Sequence, residues 1–281
     1  MNSRGSGRSE GLMRCLGALA MSLSVAGCAG VGGPDRSLER GFQPYAGDAR
    51  VWHQPGAEAE AARVAALLDR AVERVEATHG LPFARPVRVH LCRDEACFDR
   101  LVRTPRLTAA VVPDNFLVLA PRLFDREPER LFPILTHELS HLHLGQRLGH
   151  YTPWIPTWFH EGLATLAADG GGAEYASDRQ ALGAWCAGRK IDFALAPVPD
   201  RRQGHRDFGL NIHEYYRQSW RAVGHLAATQ PDRFRAFLRA LQAGGDFHIA
   251  FADAYYTGPG TALAGYCTET VHYTADAAPP D

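Results

Sequence analysis

What this chain lacks narrows its class before any motif is read. No apolar run in its 281 residues approaches the roughly 20 needed for a helix to span a bilayer. Charge of one sign is also missing. Thirty Lys and Arg against 31 Asp and Glu leave a formal net charge of −1, so no basic field points to nucleic acid. There is no CxxC pair, which removes the usual zinc-knuckle pattern. No repeat of fixed period runs along the chain. Apolar residues at 46% and charged residues at 22% form an ordinary globular balance, which argues against a disordered or collagen-like polymer. What remains is a globular body with a sizeable core, and an N-terminus that carries an address.

Arg4, Arg8 and Arg14 precede a short apolar stretch, Leu16 to Val25, which ends in Val25-Ala26-Gly27-Cys28. A basic start, a short apolar middle and small residues before a cut are signal-peptide features. This ending resembles the bacterial lipobox. The resemblance implies cleavage before Cys28 and a diacylglycerol on its thiol, with residues 1–27 removed. Ala29 stands where an Asp would favour inner-membrane retention, so the resemblance implies the periplasmic face of the cell envelope, at the outer membrane. Two or three acyl chains anchor stably where one binds marginally. Residues 28–49 are rich in Gly, Pro, Ser and charge and are expected to be a flexible tether. Four further cysteines, Cys92, Cys97, Cys186 and Cys267, allow three pairings, and sequence does not choose among them. The expected pattern is a local Cys92–Cys97 loop with a long-range Cys186–Cys267 bridge, which an oxidising compartment permits.

The remainder reads as an α+β chain: a mixed α/β lobe over 50–126, then a mostly helical lobe over 127–281. Residues 57–79 place Ala61, Val64, Leu68, Ala71 and Val75 at helical spacing, and Gly80 stops them. Val87 to Leu91 alternates as a strand does. Residues 97–102 read as a short helix. Residues 108–112 and 116–120, joined by Pro113-Asp114-Asn115, read as a hairpin. A long helix is expected over 127–147. Pro133 inside it predicts either a kink or a helix that begins near Pro133. A Pro- and Trp-containing loop leads to a helix over 158–168, stopped by Gly170-Gly171-Gly172. Further helices are expected at 175–188, 211–228, 231–243 and 246–254.

The chemistry lies in His137-Glu138-Leu139-Ser140-His141, an HExxH in a helical, apolar setting. Residues four apart on a helix differ by about 40° around its axis, so both imidazoles can reach one metal. Glu138 can then act as general base on a water at that metal. The metzincin continuation is absent, because Leu144 and Arg147 stand where Gly and His are needed.

Nineteen residues separate His141 from Glu161, which sits in Trp158-Phe159-His160-Glu161-Gly162-Leu163-Ala164. HExxH followed by this EGLA segment resembles the gluzincin zinc metallopeptidases, and most closely the peptidase-MA-like branch. The resemblance covers about residues 110–260. It implies a zincin-like fold with Zn2+ held by His137, His141 and Glu161 and a fourth position open to water. It implies that Gly162 lets its helix approach the HExxH helix closely, and that an edge strand, placed at Phe116–Ala120, receives the substrate backbone. Tyr216-Arg217-Gln218-Ser219 resembles the YxQS helix of the same branch, and Tyr216 is the matching oxyanion donor, with Tyr215 and His213 as alternates.

Thr165 stands where some relatives carry an Asp that orients a ligand histidine, and Asp169 lies eight residues, two turns, beyond Glu161. His160 and His143 could each close the site as a fourth ligand, and His150 lies in a loop. The expected activity is hydrolysis of peptide bonds in peptides or proteins, by an enzyme that touches the membrane through Cys28. Two other readings stay open: a zinc-binding lipoprotein scaffold without activity, and a zinc hydrolase of a non-protein amide or ester.

Overall fold

The computed structural model describes residues 40–102, 109–112, 116–195 and 203–264. Residues 1–39, with Cys28 and the signal segment, lie outside the described residues, as does Cys267.

Five strands build one mixed sheet: β1 (Gln43–Tyr45), β2 (Asp48–His53), β3 (Val89–Leu91), β4 (Ala109–Val112) and β5 (Phe116–Leu119), in the order β1-β2-β3-β5-β4. β2, β3 and β5 run parallel, with Val51 opposite Val89 and Leu91 opposite Leu119. β1 and β4 pair antiparallel at the two sides. Side chains alternate between the faces of a strand. Val51, Val89, Leu117 and Leu119 therefore share one core with α1 (Glu58–His79), while Phe116 and Val118 face a smaller core with Phe98 of α2 (Glu95–Leu101). Both faces are covered, so β5 is apolar throughout instead of alternating.

Two expectations are corrected here. The tether expected over 28–49 does not reach residue 49, because residues from Gln43 on already belong to the sheet and Val51 anchors β2 in the core; its part up to residue 39 lies outside the described residues. Phe116–Ala120 is not an edge: β5 lies between β3 and β4, and its hairpin partner β4 takes the border position. The physical reason is burial on both faces, which a run such as Phe-Leu-Val-Leu demands.

Beyond the short helix α3 (Pro121–Asp125), a 3-10 turn over Pro128–Arg130 leads into α4 (Leu131–Leu148). Pro133 sits in the first turn of α4, where its missing N–H has no intrahelical partner to lose. The boundary expected at 126/127 does not separate two cores. Leu131, Leu135, Leu139 and Leu142 of α4 pack into the sheet's own core, and all described residues fall in one compact unit.

The helical part continues with α5 (Thr157–Ala167), α6 (Asp178–Cys186), α7 (Ile212–Thr229), α8 (Pro231–Gln242), α9 (Phe247–Tyr255) and α10 (Pro259–Ala262). Ser177 with Gln180, and Asn211 with Glu214, form reciprocal capping boxes that start α6 and α7. Rings fill this core edge to face: Phe159 lies 5.2 Å from both Phe237 and Phe247. Cys92 and Cys97 are joined as a disulfide at the end of β3. Cys186 is also disulfide-bonded. No described helix is long and apolar enough to cross a membrane.

Candidate metal centre

α4 divides its faces. Leu135, Leu139 and Leu142 turn to the sheet, which leaves His137 and His141 on the side that meets α5. Glu161 comes from α5, and His137, His141 and Glu161 form one group that could hold a metal ion. Glu161 Oε2 lies 3.3 Å from His137 Nε2 and 3.4 Å from His141 Nε2, and the two Nε2 atoms are 3.1 Å apart. A tetrahedral ion with ligands at about 2.0–2.1 Å spaces them about 3.3–3.4 Å apart, which is the size of this triangle.

The hydrogen bonds behind the triangle agree with it. His137 Nδ1 donates to the Gly171 carbonyl at 3.0 Å, which leaves Nε2 as a bare lone pair. His141 Nδ1 lies 3.2 Å from His160 Nε2. With His141 as donor, its Nε2 is bare as well. Two lone pairs and a carboxylate then converge, an arrangement that calls for a cation. Burial alone would lower the His137 pKa, but the hydrogen bond and charge of Glu161 outweigh it and raise it. Burial would raise Glu161, yet the charge of His141 and the hydrogen bonds from His137 and His141 hold it well below the usual carboxylate range. The triangle attracts positive charge, whether proton or metal.

Glu138, next along α4, has its carboxyl pushed up by burial against the opposing pull of His141 and His137. A carboxylate raised toward neutral pH suits a proton acceptor. Tyr216 of α7 stacks 6.0 Å from the His137 ring, on the same site as Glu161. The negative charge of Glu161, followed by burial, holds its phenol well above the usual range.

The other expected residues lie elsewhere. Tyr215 is buried in the helical core beside Phe208, and His213 packs against Tyr175 at 4.9 Å. His143 bonds the Leu81 carbonyl at 2.9 Å and packs at a tilt on His79, away from the triangle. His160 stands behind His141 instead of completing the ligand set. Among the described residues no fourth His, Cys, Asp or Glu joins the group. The Thr165 hydroxyl makes no hydrogen bond, and Asp169 is exposed and faces Arg74 at 3.8 Å, so neither side chain orients the histidines. The side chain of His150 lies outside the described residues.

Gly162 does not serve contact with α4. A Cβ there would stand 2.5 Å from the Ser219 carbonyl, so its bare backbone lets α5 seat on α7. Gly170, Gly171 and Gly172 are closely packed. Their missing side chains make room for Trp220, for Pro133, and for His137 with Tyr216. Gln218 clamps the chain beyond α6, donating to the carbonyls of Ala181 and Arg189.

Sequence reasoning missed two supports. The Gly171 carbonyl carries no side-chain signal beyond the glycine run. His160 could have been found from its place beside Glu161, but its direction depends on how α5 docks on α4. No protein-family model matches this chain, and no curated protein matches it.

Proposed function

We propose that the chain is a zinc-dependent hydrolase of gluzincin type and zincin-like fold that cleaves peptide bonds. The observation that carries this reading is the triangle of His137 Nε2, His141 Nε2 and Glu161 Oε2, sized for a tetrahedral ion, with the raised carboxyl of Glu138 beside it. Zinc fits this donor set of two imidazoles and one carboxylate, and bound there it would supply Lewis-acid activation of water and of the scissile carbonyl. Glu138 takes a proton from the attacking water on its carboxylate and delivers it to the leaving nitrogen. Tyr216 donates its phenolic proton toward the developing oxyanion from the side of Glu161. β4, the border strand that packs against α4, is the place for a substrate backbone to add.

The substrate class rests on the resemblance of the two motifs to gluzincin peptidases. The lipobox supports an anchor at Cys28 on the periplasmic face of the outer membrane. The Cys92–Cys97 disulfide supports an oxidising compartment. The test is a Glu138→Gln variant assayed on a peptide library with its zinc content measured alongside. Zinc should stay near one per chain while turnover falls by about 10²–10⁴-fold. Unchanged turnover would overturn the mechanism.

A further inference from the structure

The carbonyl of Gly171 and the N–H of Gly172 belong to one planar peptide group. Each end of that group is engaged. The carbonyl accepts from His137 Nδ1 at 3.0 Å, and the N–H donates to Glu174 Oε2 at 3.0 Å. Arg130 holds Glu174 with two prongs, Nε to Oε1 at 3.3 Å and Nη2 to Oε2 at 3.2 Å, and a second carboxylate, Glu127, also accepts from Arg130. The Arg130 side chain is only 14% exposed and that of Glu174 30%, so the guanidinium is shielded while the carboxylate keeps one side open to solvent.

Arg130 caps the start of α4, and Pro133 and His137 follow at steps of three and four, one stripe along the helix. All three touch the same loop. Pro133 sets its closeness, since a Cβ on Gly171 would stand 2.7 Å from Pro133 Cβ. The stripe that ends in metal ligands therefore grips, one turn earlier, the peptide that orients the first of them.

We propose that Glu174 is a positioning residue for His137, acting through the Gly171–Gly172 peptide, with Arg130 holding the carboxylate in place. A carboxylate on the N–H polarises the peptide, and the carbonyl becomes a stronger acceptor for the imidazole proton. His137 is held in the tautomer that presents Nε2, and that nitrogen becomes a better donor to a metal. A carboxylate bonded directly to a ligand histidine has the same effect. Here a peptide group relays it. The inference rests on the metal-centre reading given above.

The test uses the full chain with the isosteric variant Glu174→Gln, which keeps a neutral acceptor and removes the charge, and with Glu174→Ala, which removes both. The control is Glu95→Gln. Glu95 likewise accepts a backbone N–H, from Arg122, and pairs with the Arg122 guanidinium, far from the site. Two readouts are taken: zinc affinity by chelator competition, and the ¹⁵N chemical shifts of the His137 ring in metal-free protein. Affinity should fall about 10-fold in Glu174→Gln and nearer 100-fold in Glu174→Ala, with Glu95→Gln unchanged. Read at a pH high enough that the ring is neutral, the ¹⁵N shifts should report a pure Nδ1–H tautomer in wild type and a mixture in Glu174→Gln. A merely structural ion pair would lower the melting temperature in Glu174→Gln and Glu95→Gln alike and leave both readouts in place, which overturns the proposal. If wild type binds no zinc, the hydrolase reading falls. The ring tautomer then decides: a change in Glu174→Gln upholds the relay, and none overturns it.

Discussion

The two larger cores of this molecule are made of different material. Between the sheet and α1 the buried residues are mostly aliphatic, among them Val51, Val64, Leu68, Val89, Leu117 and Leu119. On the helical side a group of rings joins the aliphatic residues: Trp158, Phe159, Phe237, Phe247, Phe251 and Tyr255. Strands and the 22-residue α1 present regular faces that repeated branched side chains fill evenly. α6 and α9, nine residues each, meet their neighbours irregularly, and large rings set edge to face fill such gaps. α4 belongs to both cores. Its Leu135, Leu139 and Leu142 lie in the first, and its Leu144 and Leu148 in the second. Both histidines ride on this shared helix, while Glu161 rides on α5, whose Phe159 and Leu163 belong to the helical core. The metal triangle thus depends on how the two cores are seated against one another.

The sharpest way to break that seating is at Gly162. Gly162→Ala would drive a Cβ to 2.5 Å from the Ser219 carbonyl and 2.7 Å from Val223 Cγ2, neither of which can swing aside. The expected cost is about 3 kcal/mol of stability, with zinc binding lost as α5 carries Glu161 away. Gly224→Ala sharpens the comparison, since its nearest neighbour is Leu166 Cδ1 at an ordinary 3.8 Å. There the gain in helix propensity should leave stability unchanged or raise it by up to about 1 kcal/mol. Denaturant titration of the two variants measures the contrast, and equal stabilities would mean that the α5–α7 seam yields.

The sheet side is better probed by pH. His90 is buried between Trp52 at 5.8 Å and Phe116 at 4.2 Å, and desolvation followed by the charge of Arg88 lowers its pKa to about 3. An unfolded imidazole titrates near 6.5, so below that pH the unfolded chain binds a proton that the fold refuses. The His90 contribution is whole above pH 6.5 and is lost as pH falls toward 3, amounting to about 2 kcal/mol at pH 5. His79, lowered in the same sense by burial and then by the charge of His143, adds to it. Unfolding free energies at pH 7 and pH 5 should converge in His90→Phe relative to wild type. The same pH dependence in both proteins would show that His90 is not held neutral.

The smallest expected effect concerns the contact at the junction itself. His160→Leu removes the acceptor behind His141 and should weaken zinc about tenfold, or about 1.4 kcal/mol, while His160→Gln retains most of the affinity. Calorimetry against a competing chelator reads both. If His160→Leu binds as tightly as wild type, His141 needs no partner to hold its ring.

The local elements were legible because their causes are local. The apolar stripe of α1, the first-turn position of Pro133 and the four-residue step from His137 to His141 are consequences of helical periodicity, which any window of the chain exposes. The same periodicity states which residues share a face, but not which neighbour that face will meet. Gly162 was readable as a point of close approach, yet whether it approaches α4 or α7 is decided by docking across more than fifty residues of chain. β5 was readable as a strand, yet its place between β3 and β4 follows from a hairpin that folds back over it. Cys92 and Cys97 stand close enough in the chain for a local bridge, whereas Cys186 has no such neighbour. The supports of the metal triangle were the least legible. One is a backbone carbonyl that has no letter in the sequence, and the other a histidine whose direction is set by how two helices pack. Sequence determined the candidate ligands through side-chain identity and local spacing; the tertiary structure alone decided what holds them, because those contacts join segments that only long-range packing brings together.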